Sequence, residues 1–159
     1  MKLSIINNQT KIEKSKILNC NKFLQNYGIS LSQQDAEQII EKRIETLKQT
    51  KRIELGEWVV EKIIKEFCDS AYISQDNFVS TVYELIDIFY YYKNETNDLV
   101  SDDEIIKFMR EYYDSLAHGD LEYLAGTIME KMKNNILNNK PLNYELEENE
   151  SEETDEFWN

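Results

Sequence analysis

The sequence predicts an all-α protein, a single domain of about five to six helices in bundle-like or orthogonal packing, followed by an acidic, disordered C-terminal tail. Three observations carry that prediction. Only four Gly and one Pro punctuate 159 residues, so helix breakers are scarce. Apolar residues recur at intervals of three and four almost throughout, the period of one helix face rather than the alternation of a strand. Ser followed three residues later by an acid, the signature of a capped helix start, occurs at Ser32/Asp35 and Ser101/Glu104. A hydrophobic content of 41% is enough for one core at this length. No repeat is visible at the roughly 33 to 47-residue periods of helical arrays, which argues against a solenoid.

Taken in order, residues 1–12 read as loosely ordered, residues 13–140 as the helical domain and residues 141–159 as the acidic tail. A first helix is expected from Glu13 to Tyr27, with Ile17, Cys20, Leu24 and Tyr27 inward and Gly28 as a left-handed cap. Ser32 opens a second, whose core face is Ala36, Ile39, Ile40, Ile44 and Leu47. The third presents Val60, Ile63, Ile64 and Phe67, an unbroken i, i+3, i+4, i+7 pattern. Ser74 is the expected cap of a fourth helix reaching about Asn94, with Phe78, Val82, Leu85, Ile86 and Phe89 buried. Ser101 starts the fifth, its first turn rich in acids that favour the positive end of the helix dipole. The last runs from Asp120 along Leu121, Leu124, Ala125, Ile128, Met129, Met132 and Ile136, and Pro141 closes it.

Charge is distributed unevenly. Met1 to Arg52 carries ten basic and five acidic residues, net +5, and Ile53 to Asn159 carries eight and twenty-six, net −18, which together give −13. Such a balance argues against nucleic-acid binding, which rests on Lys and Arg displacing counterions from phosphates. No apolar run approaches the roughly 20 residues that span a bilayer, and residues 1–6 are too short for a secretory core. Cys20 and Cys68 are too few for a disulfide framework and match no metal-ligand spacing. A cytoplasmic protein without metal or cofactor is expected.

Eight of the last fifteen residues are acidic, and the run closes on Phe157 and Trp158. Mutual repulsion denies such a segment a core of its own. Three readings compete: solvation alone, docking of Phe157 and Trp158 in a partner while the acids steer the approach, or return of the tail to the basic N-terminal third of the same chain or of a second one.

Candidate chemistry elsewhere is sparse. His118, the one histidine, lies in the turn after the fifth helix and could serve Cys68 as a base or join Asp120 and Glu122 on a metal, but neither pairing has a diagnostic spacing. The plainer reading makes His118 a turn residue, Asp120 a cap and Cys68 a small core residue. Arg43 stands on the apolar face of the second helix, where it must either snorkel or receive a carboxylate, from Asp69, another buried acid or an acidic ligand. Tyr90, Tyr91 and Tyr92 sweep about 200° of helix, so at least one must face outward, and Tyr112 and Tyr113 could extend an aromatic patch.

The blocks Phe67-Cys68-Asp69-Ser70-Ala71-Tyr72-Ile73-Ser74-Gln75, Ile88-Phe89-Tyr90-Tyr91-Tyr92-Lys93-Asn94-Glu95, Ser101-Asp102-Asp103-Glu104 and Leu121-Glu122-Tyr123-Leu124-Ala125-Gly126-Thr127 together resemble an uncharacterised bacterial family, a domain of unknown function found mainly in anaerobic Gram-positive bacteria. The similarity covers about Leu24 to Met132. It implies a small cytosolic helical protein and carries over no catalytic residue.

The expected function is a protein–protein interaction module. Tyr90, Tyr91, Tyr92, Phe157, Trp158 and Arg43 are its candidate binding residues. The partner is a protein with a basic or apolar pocket, or a second copy, rather than nucleic acid or membrane. The alternatives are an enzyme with Arg43, Cys68, Asp69 and His118 around an interhelical pocket, and a structural homodimer.

Overall fold

The computed structural model describes residues 2–54 and 58–146. Six long helices, and no strand, are found among them: α1 (Lys2–Asn19), α2 (Gln33–Thr50), α3 (Val59–Phe67), α4 (Phe78–Glu95), α5 (Asp102–Asp114) and α6 (residues 121–137). One hydrophobic core joins them. α4 is its axis, in contact with α2, α3, α5 and α6, while α1 packs chiefly on α2.

The expected core stripes are buried where their periodicity is cleanest. Val60, Ile63, Ile64 and Phe67 of α3, and Phe78, Val82, Leu85, Ile86 and Phe89 of α4, are almost wholly removed from solvent. Each such side chain contributes about 1.5–3 kcal/mol of transfer free energy. On α2 the buried face is rotated slightly from the expected one: Arg43 and Thr46 are buried, Ile44 is exposed and Leu47 is only partly covered. Thr46 explains part of the rotation, since its hydroxyl donates to Asp87 of α4 at 2.7 Å.

Both cap signals form. Ser32 Oγ accepts from the Asp35 amide at 3.0 Å and Asp35 accepts from the Ser32 amide at 2.9 Å. Ser101 Oγ accepts from the Glu104 amide at 3.2 Å. At the fourth helix the cap is Asn77 rather than Ser74, whose amide donates to Asn77 Oδ1 at 2.8 Å and closes the turn before the helix.

Two boundaries differ from expectation. The first helix begins at Lys2 rather than Glu13, since residues 2–12 hold no Gly or Pro to stop it, and it yields at Asn19. Past that point Asn21 ties its side chain to the Leu31 backbone in both directions, accepting at 2.7 Å and donating at 2.9 Å, which turns the chain through Asn21–Leu24 and Gln25–Tyr27 into left-handed Gly28. Tyr27 is thereby left exposed instead of inward. At the other end, residues 141–146 fold back on α6. Asn135 donates to the Leu142 and Tyr144 carbonyls, each at 3.1 Å, and Leu146 is 7% exposed. The remainder of the expected tail lies outside the described residues. Among the described residues, no helix is long and apolar enough to cross a membrane.

Candidate functional site

Arg43 is the centre of the most polar part of the interior. Its place on α2, one turn beyond Ile39 and Ile40, drives its guanidinium inward, where it is 8% exposed and cannot snorkel. Two carboxylates meet it. Glu13 of α1 accepts at 3.0 Å and Glu54, after the end of α2, at 3.2 Å. The Trp58 ring lies against the cation, 5.2 Å from its centroid. Glu54 also accepts from the Tyr90 hydroxyl of α4 and from the Val59 amide at 3.4 Å. Arg43 therefore takes the buried-anchor alternative, with Glu13 and Glu54 as its acids in place of Asp69.

A cleft of about 150 Å³ opens beside this node, lined by Arg52, Glu54, Tyr90 and Asp102 over Val59 and Phe89. Its charges are largely matched. Arg52 holds Asp98 at 2.7 Å, and Lys93 holds Asp102 at 2.8 Å. The Tyr90 phenol is pushed far above the ordinary tyrosine range, first by burial and then by the Glu54 carboxylate that accepts its hydrogen bond. It is a donor in this cleft and not a base.

The residues of the enzyme alternative take separate partners. Cys68 donates its Sγ–H to the Lys65 carbonyl at 3.3 Å, and burial pushes its thiol up to about 11, which keeps it protonated and a poor nucleophile. Asp69 pairs with Arg110 at 2.5 Å. Arg110 also holds Asp114 at 2.7 Å, and Asp114 receives the Ser70 hydroxyl at 2.6 Å, so this corner is a braced helix junction. His118 has left-handed backbone, φ 49°, and its Nδ1 stands 3.3 Å from the Tyr72 hydroxyl. Asp120 caps α6 by accepting from the Tyr123 amide at 3.1 Å. Among the described residues, no group of three or more His, Cys, Asp or Glu is placed to hold a metal.

The three tyrosines divide. Tyr90 and Tyr92 are buried, 2% and 4% exposed, and cannot serve as surface contacts, whereas Tyr91 is 50% exposed. Tyr112 and Tyr113 are buried too and extend no patch. Tyr92 donates to the Ala125 carbonyl at 2.5 Å, within a π-helical turn, Leu124–Ile128, that loosens the backbone ladder of α6. Tyr91 stands edge-on to Tyr92, ring centroids 4.8 Å apart, and Glu95 raises its phenol pKa by accepting its hydroxyl. Tyr123, just before this turn, and Gly126, within it, are exposed. A methyl group added at Gly126 would meet nothing within 4 Å. Phe157 and Trp158 lie outside the described residues.

Glu13, Glu54 and Trp58 were not among the expected site residues. Arg43 on an apolar face signalled that an acid was needed, but neither carboxylate is within helical reach of it in sequence.

Searches of curated proteins and of solved structures return no match. A family model, described as a family of unknown function (DUF6323), matches residues 16–141, a span that contains Arg43, Glu54, Trp58, Tyr90 and the Tyr91 surface but not Glu13. The chain belongs to this family.

Proposed function

We propose that the protein is a cytoplasmic protein-interaction module that engages its partner through the outer surface of α4 and α6 around Tyr91. The observation that carries this reading is the half-exposure of Tyr91 next to the Tyr92–Ala125 contact of α4 with α6, a helix on which Tyr123 and Gly126 are exposed as well. Tyrosine is favoured at contacts because it buries a large area at low entropic cost and keeps a polar end. Glycine in an exposed helix costs about 0.5–1 kcal/mol relative to alanine, and packing within the domain does not require it at position 126. Close approach of another molecule gives it a purpose.

The test is affinity capture from the native cytosol with the whole chain, Tyr91→Ala and Gly126→Leu, followed by titration of the captured protein in purified form. A partner whose affinity falls about tenfold or more in either variant supports this surface. A partner bound equally by all three chains places the contact elsewhere, and no partner sinks the reading. A second reading, a small polar ligand in the Glu54–Tyr90 cleft, rests on the 150 Å³ opening there. Thermal-shift screening against polar metabolites tests it, and Tyr90→Phe should abolish any hit.

A further inference from the structure

A different surface has its complement in the chain itself. Between Thr10 and Gln34 the sequence holds four bases, Lys11, Lys14, Lys16 and Lys22, and one acid, Glu13. The fold removes that acid from the surface by burying it against Arg43. The outer face of α1 and the turn after it is therefore basic along its own length, and among the described residues only Lys14 there is ion-paired, with Glu37 at 2.6 Å. It is also apolar. Ile12 is 53%, Phe23 38% and Tyr27 45% exposed, and the rings of Phe23 and Tyr27 touch at 5.4 Å.

Glu147 to Asn159 offers the opposite pattern: seven acids in thirteen residues, ending in Phe157 and Trp158. Charge and apolar character match in kind, with lysines facing carboxylates and the Phe23–Tyr27 pair available to two aromatic anchors. We propose that the α1 face is the docking surface for residues 147–159 of a second copy of this chain.

Symmetry favours a second copy over the same one. The last described residue, Leu146, is packed on the α6 side, whereas α1 packs chiefly on α2. Two copies that exchange tails close on themselves in a two-fold pair, with both faces and both tails occupied.

Sedimentation of the full-length protein tests the proposal. The expected result is a dimer that weakens as salt screens the lysine–carboxylate attraction. Lys11→Glu with Lys22→Glu, and separately Phe157→Ser with Trp158→Ser, should each weaken self-association by about tenfold or more. An equimolar mixture of these two variants should recover part of it, because one retains the face and the other the tail. A chain monomeric at every concentration overturns the proposal, as does a dimer indifferent to both variants or a mixture that fails to associate. A monomer in which the tail substitutions shift the amide resonances of residues 11–27 assigns the contact to the chain's own tail and overturns the second-copy assignment. Tyr91→Ala should leave the dimer unchanged, which separates this surface from the one proposed above.

Discussion

At the scale of single residues, Arg43 has the largest energetic stake. Its removal leaves the Glu13 and Glu54 carboxylates buried without their cation, a change expected to cost about 3–5 kcal/mol. Arg43→Ala should lower the urea midpoint accordingly, and a variant that also carries Glu13→Gln and Glu54→Gln should recover part of the loss. Tyr90 contributes in another pH range. Burial and Glu54 raise its folded-state pKa above the unfolded value of about 10. Its contribution to stability is therefore complete below about pH 10 and is lost as the pH rises above it, because only the unfolded chain readily gives up the proton. Tyr92 is shifted in the same direction, first by its burial. Urea unfolding followed from about pH 9 to about pH 11 should show this decline, shallower in Tyr90→Phe. Gly119 is constrained on two counts, a φ of 80° and the Tyr72 ring 2.7 Å from where a Cβ would stand. Gly119→Ala should cost about 1–3 kcal/mol, visible as a lower melting temperature.

At the scale of elements, α6 separates stability from contact. Gly126→Ala should stabilise the fold by about 0.5–1 kcal/mol in thermal unfolding, since the new methyl group meets no obstacle. The element scale is also where the sequence was most legible. Helix α3 could be read residue by residue because its apolar period is unbroken, and the Ser32 and Ser101 caps because a cap is a local bargain between neighbours. Legibility ended where remote residues decide. That one of Tyr90, Tyr91 and Tyr92 must face out follows from 100° per residue, but which one depends on where α2, α5 and α6 press on α4. Glu13 and Arg43 are 30 residues apart, and Glu54 comes from the chain beyond α2, so the partners of a buried cation could be required by the sequence without being named by it. The π turn of α6 left no signal beyond a glycine that a regular helix would also tolerate.

At the scale of the whole molecule, net charge of −13 means that the chain repels itself. Moderate salt should raise the melting temperature, since exposed pairs such as Lys65–Glu61 are weak and their screening costs little. The family match spans residues 16–141, yet the interior is completed from both sides of it, by the Glu13 carboxylate and by the Leu146 side chain. Kinship and folding autonomy consequently have different borders in this protein. A chain cut to residues 16–141 would retain what its relatives share while discarding one counter-ion of Arg43 and the apolar plug under the end of α6. It should unfold at a lower urea concentration than residues 1–146. Any experiment that takes the shared segment for the cooperative unit would attribute to its sequence an instability that belongs to the cut.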